Sequence, residues 1–226
     1  NAEKAWQNGF YDSSVMPVKD NTGKILLKRD ELIRGCLTAE KLAEIPPAFA
    51  KQGESGFDQM MLAIHHQLDA IQHVHSIANC PGMADGAALV VIGTEASGNA
   101  AGLEPKAKIV ATAETAGDPI LQLTAGLDAI ELLLQQTSLS IHDFDRIEFM
   151  EAFAAPTVKF LRRYNPDADK VNTNGGHIAM GHPMGATGAI LLTTLVHELK
   201  RIDGTLGLVV AQAGGGIGSA MIIERV

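Results

Sequence analysis

The stretch Val171-Asn-Thr-Asn-Gly-Gly-His-Ile-Ala-Met-Gly-His-Pro-Met-Gly-Ala-Thr-Gly188 decides how this chain is read. Five of its residues, Gly175, Gly176, Gly181, Gly185 and Gly188, are glycines. Glycine accepts positive φ and lets the backbone come close to a ligand. Gly181-His182-Pro183 sets an imidazole on a tight turn, and Pro183 biases His182 toward extended backbone. An imidazole held this way suits proton transfer or stabilisation of an oxyanion. Glycine-rich turns taken singly are more often structural than functional. A Walker phosphate loop is excluded, because no Gly-Lys-Ser/Thr follows.

Downstream, Gly188–Lys200 is strongly apolar and reads as a helix. Leu206–Gln212 and Ala220–Glu224 read as strands joined by Ala213-Gly-Gly-Gly-Ile-Gly218. They lie too close for a helical crossover, so the spacing predicts antiparallel pairing. The run Gly214–Gly218 either lines a pocket with bare backbone or is an ordinary hairpin.

Upstream, Asp145–Met150 reads as a strand and Glu151–Tyr164 as a helix. Met150-Glu-Ala-Phe-Ala-Ala155 straddles their junction, where Glu151 is either catalytic or a dipole partner in a helix first turn. Lys108–Glu114 reads as a strand. Leu121–Gln136 reads as a helix on the spacing of Leu123, Leu127, Ile130 and Leu134. Ser140 is a candidate cap for the segment after it. Asp85–Gly93 is expected to be a small-residue turn or helix start followed by a buried strand. Strands alternating with helices imply an α/β layered domain.

Residues 1–60 are polar and irregular. Ala2, Ala5 and Trp6 suggest a short amphipathic helix, Asp20–Gly23 a turn, and Ile25–Leu27 a short strand. Thr38 is placed to cap a helix through Leu42, with Pro46-Pro47 ending it. Gly56–His73 is a candidate helix carrying Met60, Met61, Ile64, Leu68 and Ile71. His65, His66, His73 and His75 cluster nearby, but no pair within that helix is four apart and no Cys/Asp/Glu set joins them, so no metal site is assigned. The reading is a loop-rich segment with a connecting helix over 1–75 and an α/β domain over 76–226.

A chain of 226 residues buries a sizeable core, and 46% hydrophobic with 19% charged residues is ordinary for an α/β protein. The formal net charge of -8, without a Lys/Arg cluster, argues against a nucleic-acid face. It leaves room for a phosphorylated ligand held by a few local cations or helix N-termini. Two cysteines, Cys36 and Cys80, are too few for a disulfide scaffold and point to a reducing compartment, the cytoplasm. No apolar run is long enough for a spanning helix. The chain opens in a helical pattern without Met, as expected of a fragment, a processed chain or one part of a split protein.

The three glycine- and junction-centred clusters together resemble a thiolase. Val171–Gly188 closely matches the thiolase pattern Val-Asn-Val-Asn-Gly-Gly-Ala-Ile-Ala-Leu-Gly-His-Pro-Leu-Gly-Ala-Ser-Gly. Residues 147–155 look like the family's Asn-Glu-Ala-Phe-Ala-Ala segment. Residues 206–224 look like its ending, where a Cys precedes a glycine-rich turn. Asp85-Gly-Ala-Ala and Pro47-Ala-Phe49 match further elements. The resemblance covers nearly the whole chain and points to the C-terminal half of the family's fold: a layered αβα half with a mixed sheet.

The resemblance implies acyl transfer between coenzyme A and a carbon nucleophile, of Claisen or retro-Claisen type. Acyl-CoA and CoA would be substrates, with no permanently bound cofactor. The nucleophilic Cys would belong to a missing N-terminal half, and the assembly would be a homo-oligomer or hetero-oligomer. His182 would activate that Cys. Gly181, Gly214, Gly215 and Phe153 would contact substrate. Three positions depart from the pattern. Gln212 stands where the acid/base Cys is expected, and an amide does not titrate near neutrality. Met150 stands where an Asn orders a water, and Pro81 stands for the Ser before Asp-Gly-Ala-Ala. Two readings follow: an acyltransferase portion of impaired or altered activity, or a noncatalytic subunit that partners an active enzyme.

Overall fold

The computed structural model describes all residues from Asn1 to Val226. The amino-terminal segment is built of short pieces: α1 (Ala2–Gln7), a two-stranded hairpin of β1 (Val18–Lys19) and β2 (Ile25–Leu27), α2 (Ala39–Ala43), α3 (Ala50–Gln52) and α4 (Asp58–Leu62). The hairpin turn forms where expected, because the Asp20 carboxylate accepts the N–H groups of Thr22 and Lys24 at 2.9 and 3.0 Å. Thr38 caps α2 by accepting the Lys41 N–H.

Two expected elements do not form. The helix expected over Gly56–His73 shrinks to α4, preceded by a wide turn at Gly53–Phe57 in which Gly56 has φ 115°. Met60, Ile64 and Leu68 stay exposed, and a short helix that buries no apolar face loses the packing that sustains it. The strand expected within Asp85–Gly93 is also absent, and only α5 (Glu95–Ala100) follows it. Leu89 is 82% exposed and Val91 71%. A strand needs a neighbour to take its N–H and C=O groups, and no strand of this chain lies beside it.

From Ala107 onward the expected alternation is realised. The elements are β3 (Ala107–Ala116), α6 (Ala125–Thr137), β4 (Arg146–Phe149), α7 (Ala154–Tyr164), α8 (His177–Met180), α9 (Thr187–Ile202), β5 (Leu206–Ala213) and β6 (Ile217–Arg225). They build a four-stranded sheet of order β3-β6-β5-β4. β4 and β5 are parallel, and β6 is antiparallel to both its neighbours, so the sheet is mixed and the last two strands pair as expected. On one face Leu127, Ile130 and Leu133 of α6 and Phe160 of α7 pack on Ile147, Phe149, Leu208 and Ile222. On the other, Leu191, Leu195 and Leu199 of α9 pack on Met150, Val209 and Ile223. The period of two along β5 sends Leu208 and Val210 one way and Val209 the other. No helix is long and apolar enough to cross a membrane.

After α7 the chain returns beside β4 but makes only one ladder step, Ile147 with Val171. Asn172 then turns at φ 44° and continues the pairing with its side chain. Its Oδ1 accepts the Phe149 N–H at 2.8 Å, and its Nδ2 donates to the Phe149 carbonyl at 2.9 Å and to Glu151 Oε1 at 2.8 Å. The carboxamide stands in for the next peptide of a strand and frees the backbone to enter the glycine-rich loop.

The entry to that loop is tied to α9. Glu198 is fully buried and accepts from Asn174 Nδ2 at 2.8 Å, Arg146 Nε at 3.0 Å and Arg201 Nε at 2.7 Å. Burial raises its pKa, but the hydrogen bonds from Arg201, Asn174 and Arg146 outweigh that and hold it below the usual carboxylate range. Glu148, one residue before Phe149 and on the opposite face of β4, lacks such donors. Burial first, then the charges of Glu198 and Glu151, push its carboxyl well above the ordinary value, so it is held protonated.

Asn172→Ala leaves the buried N–H and carbonyl of Phe149 without partners and is expected to lower the unfolding free energy by about 3 kcal/mol, read by urea denaturation. For Glu148, the folded state binds the proton more tightly than the unfolded state. Its contribution to stability is therefore full below the unfolded glutamate value of 4.5 and is lost as pH rises toward the elevated folded value. Glu148→Gln is expected to flatten that decline and to be more stable than the parent at pH 8. An unchanged pH dependence would mean that Glu148 is not the buried acid.

Candidate functional site

The site elements meet at one edge of the sheet. β3, β4 and β5 run parallel to one another across the intervening β6, so their carboxyl ends lie together. α6 follows β3, the Met150–Phe153 junction follows β4, the glycine turn follows β5, and α9, which leads back into β5 through a short loop, begins at the same edge. In open α/β sheets this carboxyl edge is where ligands bind.

His182 is fixed there by backbone and side chain. Gly181 ends α8 at φ 99°, and a Cβ on it would sit 2.7 Å from that of Ala84, so conformation and space both require glycine. His182 is extended, as Pro183 leads one to expect, and its N–H donates to the Gly82 carbonyl at 2.9 Å. Its Nδ1 lies 2.8 Å from the buried Thr187 hydroxyl at the start of α9. Nε2 is thereby the nitrogen left for chemistry. Burial lowers the pKa, which keeps the ring neutral and able to accept a proton.

A second imidazole adjoins it, one that the motif did not single out. His177, the first residue of α8, is 3% exposed and lies edge-on to His182, with ring centroids 5.6 Å apart. Burial, and then the neighbouring His182, lower its pKa to about 4. Its Nδ1 has no hydrogen-bond partner. The one signal in the sequence was a His where the family pattern has Ala.

Glu151 is not a dipole partner in a helix first turn, since α7 begins only at Ala154. Its Oε2 accepts the Ile178 N–H at 3.2 Å and its Oε1 the Asn172 amide. Burial raises its pKa, partly offset by those hydrogen bonds. It braces the β4–α7 junction against the glycine loop, and Gly176 packs directly on its carboxylate. Tyr11 closes the loop from outside by donating to the Asn174 carbonyl at 2.8 Å.

The remaining candidates fall on different surfaces of this edge. Met150 is buried in the cluster beneath α9 with Leu191 and Val209. Gln212 follows Leu208 and Val210 to the opposite face, where its Oε1 comes up against Gly126 of α6. Both polar atoms of its amide are buried and unpaired, and no hydrogen bond joins it to His182. Gly218 lets the α6 N-terminus reach this hairpin, since a Cβ there would overlap the Ala125 backbone. Gly214 and Gly215 form the turn between β5 and β6, and Gly215 at φ 84° has open space beside it. Phe153 lies 6.0 Å from Phe49 ring to ring and lines a cavity of about 430 Å³ with Leu121, Leu123, His75 and Lys159.

Comparison with known proteins agrees with this architecture. The model of the thiolase C-terminal domain matches residues 103–225, and that of the thiolase N-terminal domain matches residues 1–55. The acetyl-CoA acetyltransferase of Escherichia coli (strain K12) is 37% identical over 226 residues, covering 99% of this chain and 52% of the relative. That of Paracoccus denitrificans is 34% identical, covering 99% of this chain and 53% of the relative. The crystal structure of the Bacillus anthracis acetyl-CoA acetyltransferase superposes with a TM-score of 0.82 at 33% identity, over 100% of this chain and 52% of that one. The chain thus spans about half the length of the curated relatives it matches. With the C-terminal domain model alone matching more than half of its residues, the chain belongs to the thiolase family.

Proposed function

We propose that this chain is the portion of a thiolase-type acyltransferase that supplies the base, with acyl-CoA and CoA as substrates and the nucleophilic cysteine in sequence outside residues 1–226. The observation that carries the reading is His182, an extended, neutral imidazole with Nδ1 engaged by Thr187 and Nε2 free. In this reading Nε2 takes the cysteine proton. The thiolate attacks the thioester carbonyl, the carbonyl–sulfur bond breaks, and CoA leaves as the acyl group passes to the enzyme. Returning the acyl group to a CoA thiol reverses the same proton transfer. The apolar cavity beside Phe153 supports a place for the acyl or thioester-bearing arm of the substrate.

Carbon–carbon bond formation also needs a group to move the proton at the substrate α-carbon. Gln212 offers a hydrogen bond but no titratable proton, and Met150 is a poor partner for an ordered water. Each loss is typically worth roughly two powers of ten in rate, so the Claisen reaction is slow and acyl exchange or thioester hydrolysis is favoured. The burial of Met150 in an apolar cluster also favours a second reading, a noncatalytic subunit beside an active acyltransferase. In either case the exposed apolar run Leu89–Ile92 supports docking of this chain as a strand on the remainder of the protein, and an oligomeric assembly. The free cysteines Cys36 and Cys80 fit a reducing compartment such as the cytoplasm.

The test is thioester loss when the full-length protein is given acetoacetyl-CoA and CoA. Weak turnover is expected, abolished by His182→Ala and raised about tenfold or more by Gln212→Cys. Turnover matching that of the Escherichia coli relative would overturn the assignment of impairment to Gln212 and Met150. Turnover unchanged in His182→Ala would remove His182 as base.

A further inference from the structure

We propose that His177 is a positioning residue for His182: its ring forms the wall that holds the His182 imidazole in the orientation selected by Thr187. The proposal rests on the reading of His182 as the base. His182 has two fixed attachments, its backbone N–H to Gly82 and its Nδ1 to the Thr187 hydroxyl. Neither prevents the ring from swinging about its side-chain bonds once the Thr187 contact lapses. The His177 ring stands edge-on against the His182 ring, with centroids 5.6 Å apart and planes at 70°.

His177 is itself firmly held. As the first residue of α8 it precedes Ile178, whose N–H is bound by Glu151, while the Gly181 N–H donates to the His177 carbonyl at 2.8 Å. His177 is 3% exposed with an unpaired Nδ1, and a buried nitrogen without a hydrogen-bond partner is destabilising. A plain apolar residue would avoid that cost, and the family pattern has alanine at this place. An alanine would leave the flank of His182 open to water.

The electrostatics agree. Burial, and then the neighbouring His182, lower the His177 pKa to about 4, so it is an uncharged wall at neutral pH. Two titratable groups are hydrogen-bonded to α8 or the residue ahead of its glycines: Glu151, bound to Ile178, and Tyr11, bound to Asn174 and Met180. Neither contributes to the shift of either imidazole, which comes from burial for His182 and from burial and then the His182 ring for His177. His182 owes its lowered pKa to burial, and His177 is the titratable side chain in contact with its ring.

The test follows the His182 imidazole by NMR titration in the full-length protein, alongside the pH profile of acetoacetyl-CoA thiolysis. In His177→Ala the His182 pKa is expected to rise toward 6.5, the ordinary value, and the acid limb of kcat/KM to move to higher pH with it. At neutral pH kcat falls about tenfold while KM holds, as expected when a base is misplaced and substrate contacts are kept. His177→Phe restores the ring without the nitrogens and returns both readouts toward the parent. If His177→Ala does not fold, His177→Gln, which fills the volume without a flat ring, serves the same comparison. An unchanged His182 titration in these variants overturns the proposal, whether or not the protein turns over. A shifted titration in a protein without turnover supports His177 as the positioning residue and sinks only the catalytic reading.

Discussion

The carboxamide of Asn172 is the constraint on which the rest of the site depends. β4 is a short edge strand, and the chain beside it makes one backbone step before it must turn into the glycine loop. A turn at that point would strand the N–H and carbonyl of Phe149 in a dry interior. Asn172 satisfies both and adds a third bond to Glu151, which in turn holds the first turn of α8. His177 opens α8 and Gly181 closes it, so the placement of both imidazoles follows from one side chain at the root of the loop.

The second tie is ionic and deeper. Asn174 is bound to Glu198, whose charge is matched by Arg146 from β4 and Arg201 from α9. A buried ion pair contributes little net stability when well satisfied, but losing one partner is costly, which makes the cluster a strong specifier of geometry. It fixes α9 against β4, and α9 carries Thr187, the hydroxyl that orients His182. Glu148 beside it, without donors, avoids a second buried charge by keeping its proton.

Family membership and chemical competence therefore rest on different residues. The loop, its two asparagines and the Gly-His-Pro turn are held by contacts complete within this chain. The positions that would share proton transfer with His182 are not: Met150 has joined an apolar cluster, and the buried Gln212 amide has no partner. The geometry holds the His182 imidazole through Thr187 and leaves the Gln212 amide without a partner.

The sequence by itself determined the layered α/β class, the strands and the longer helices from Ala107 onward (the short α8 lay inside what read as a glycine-rich loop), the antiparallel closing hairpin, the Thr38 cap, and the extended His182. These follow from hydrophobic period, caps and the steric rule before proline, all local effects. Tertiary structure decided the rest. Leu89–Ile92 has the apolarity of a buried strand, and Met60, Ile64 and Leu68 the spacing of a buried helix face, yet both stretches are exposed here. Apolarity reports a capacity for burial, whereas burial requires a neighbour, and none is present. Glu151 as a brace, Gln212 and Met150 on opposite faces of the sheet, and the contact of His177 with His182 likewise arise between residues distant along the chain or turned by glycine. No periodicity encodes such contacts; packing in three dimensions brings them into being.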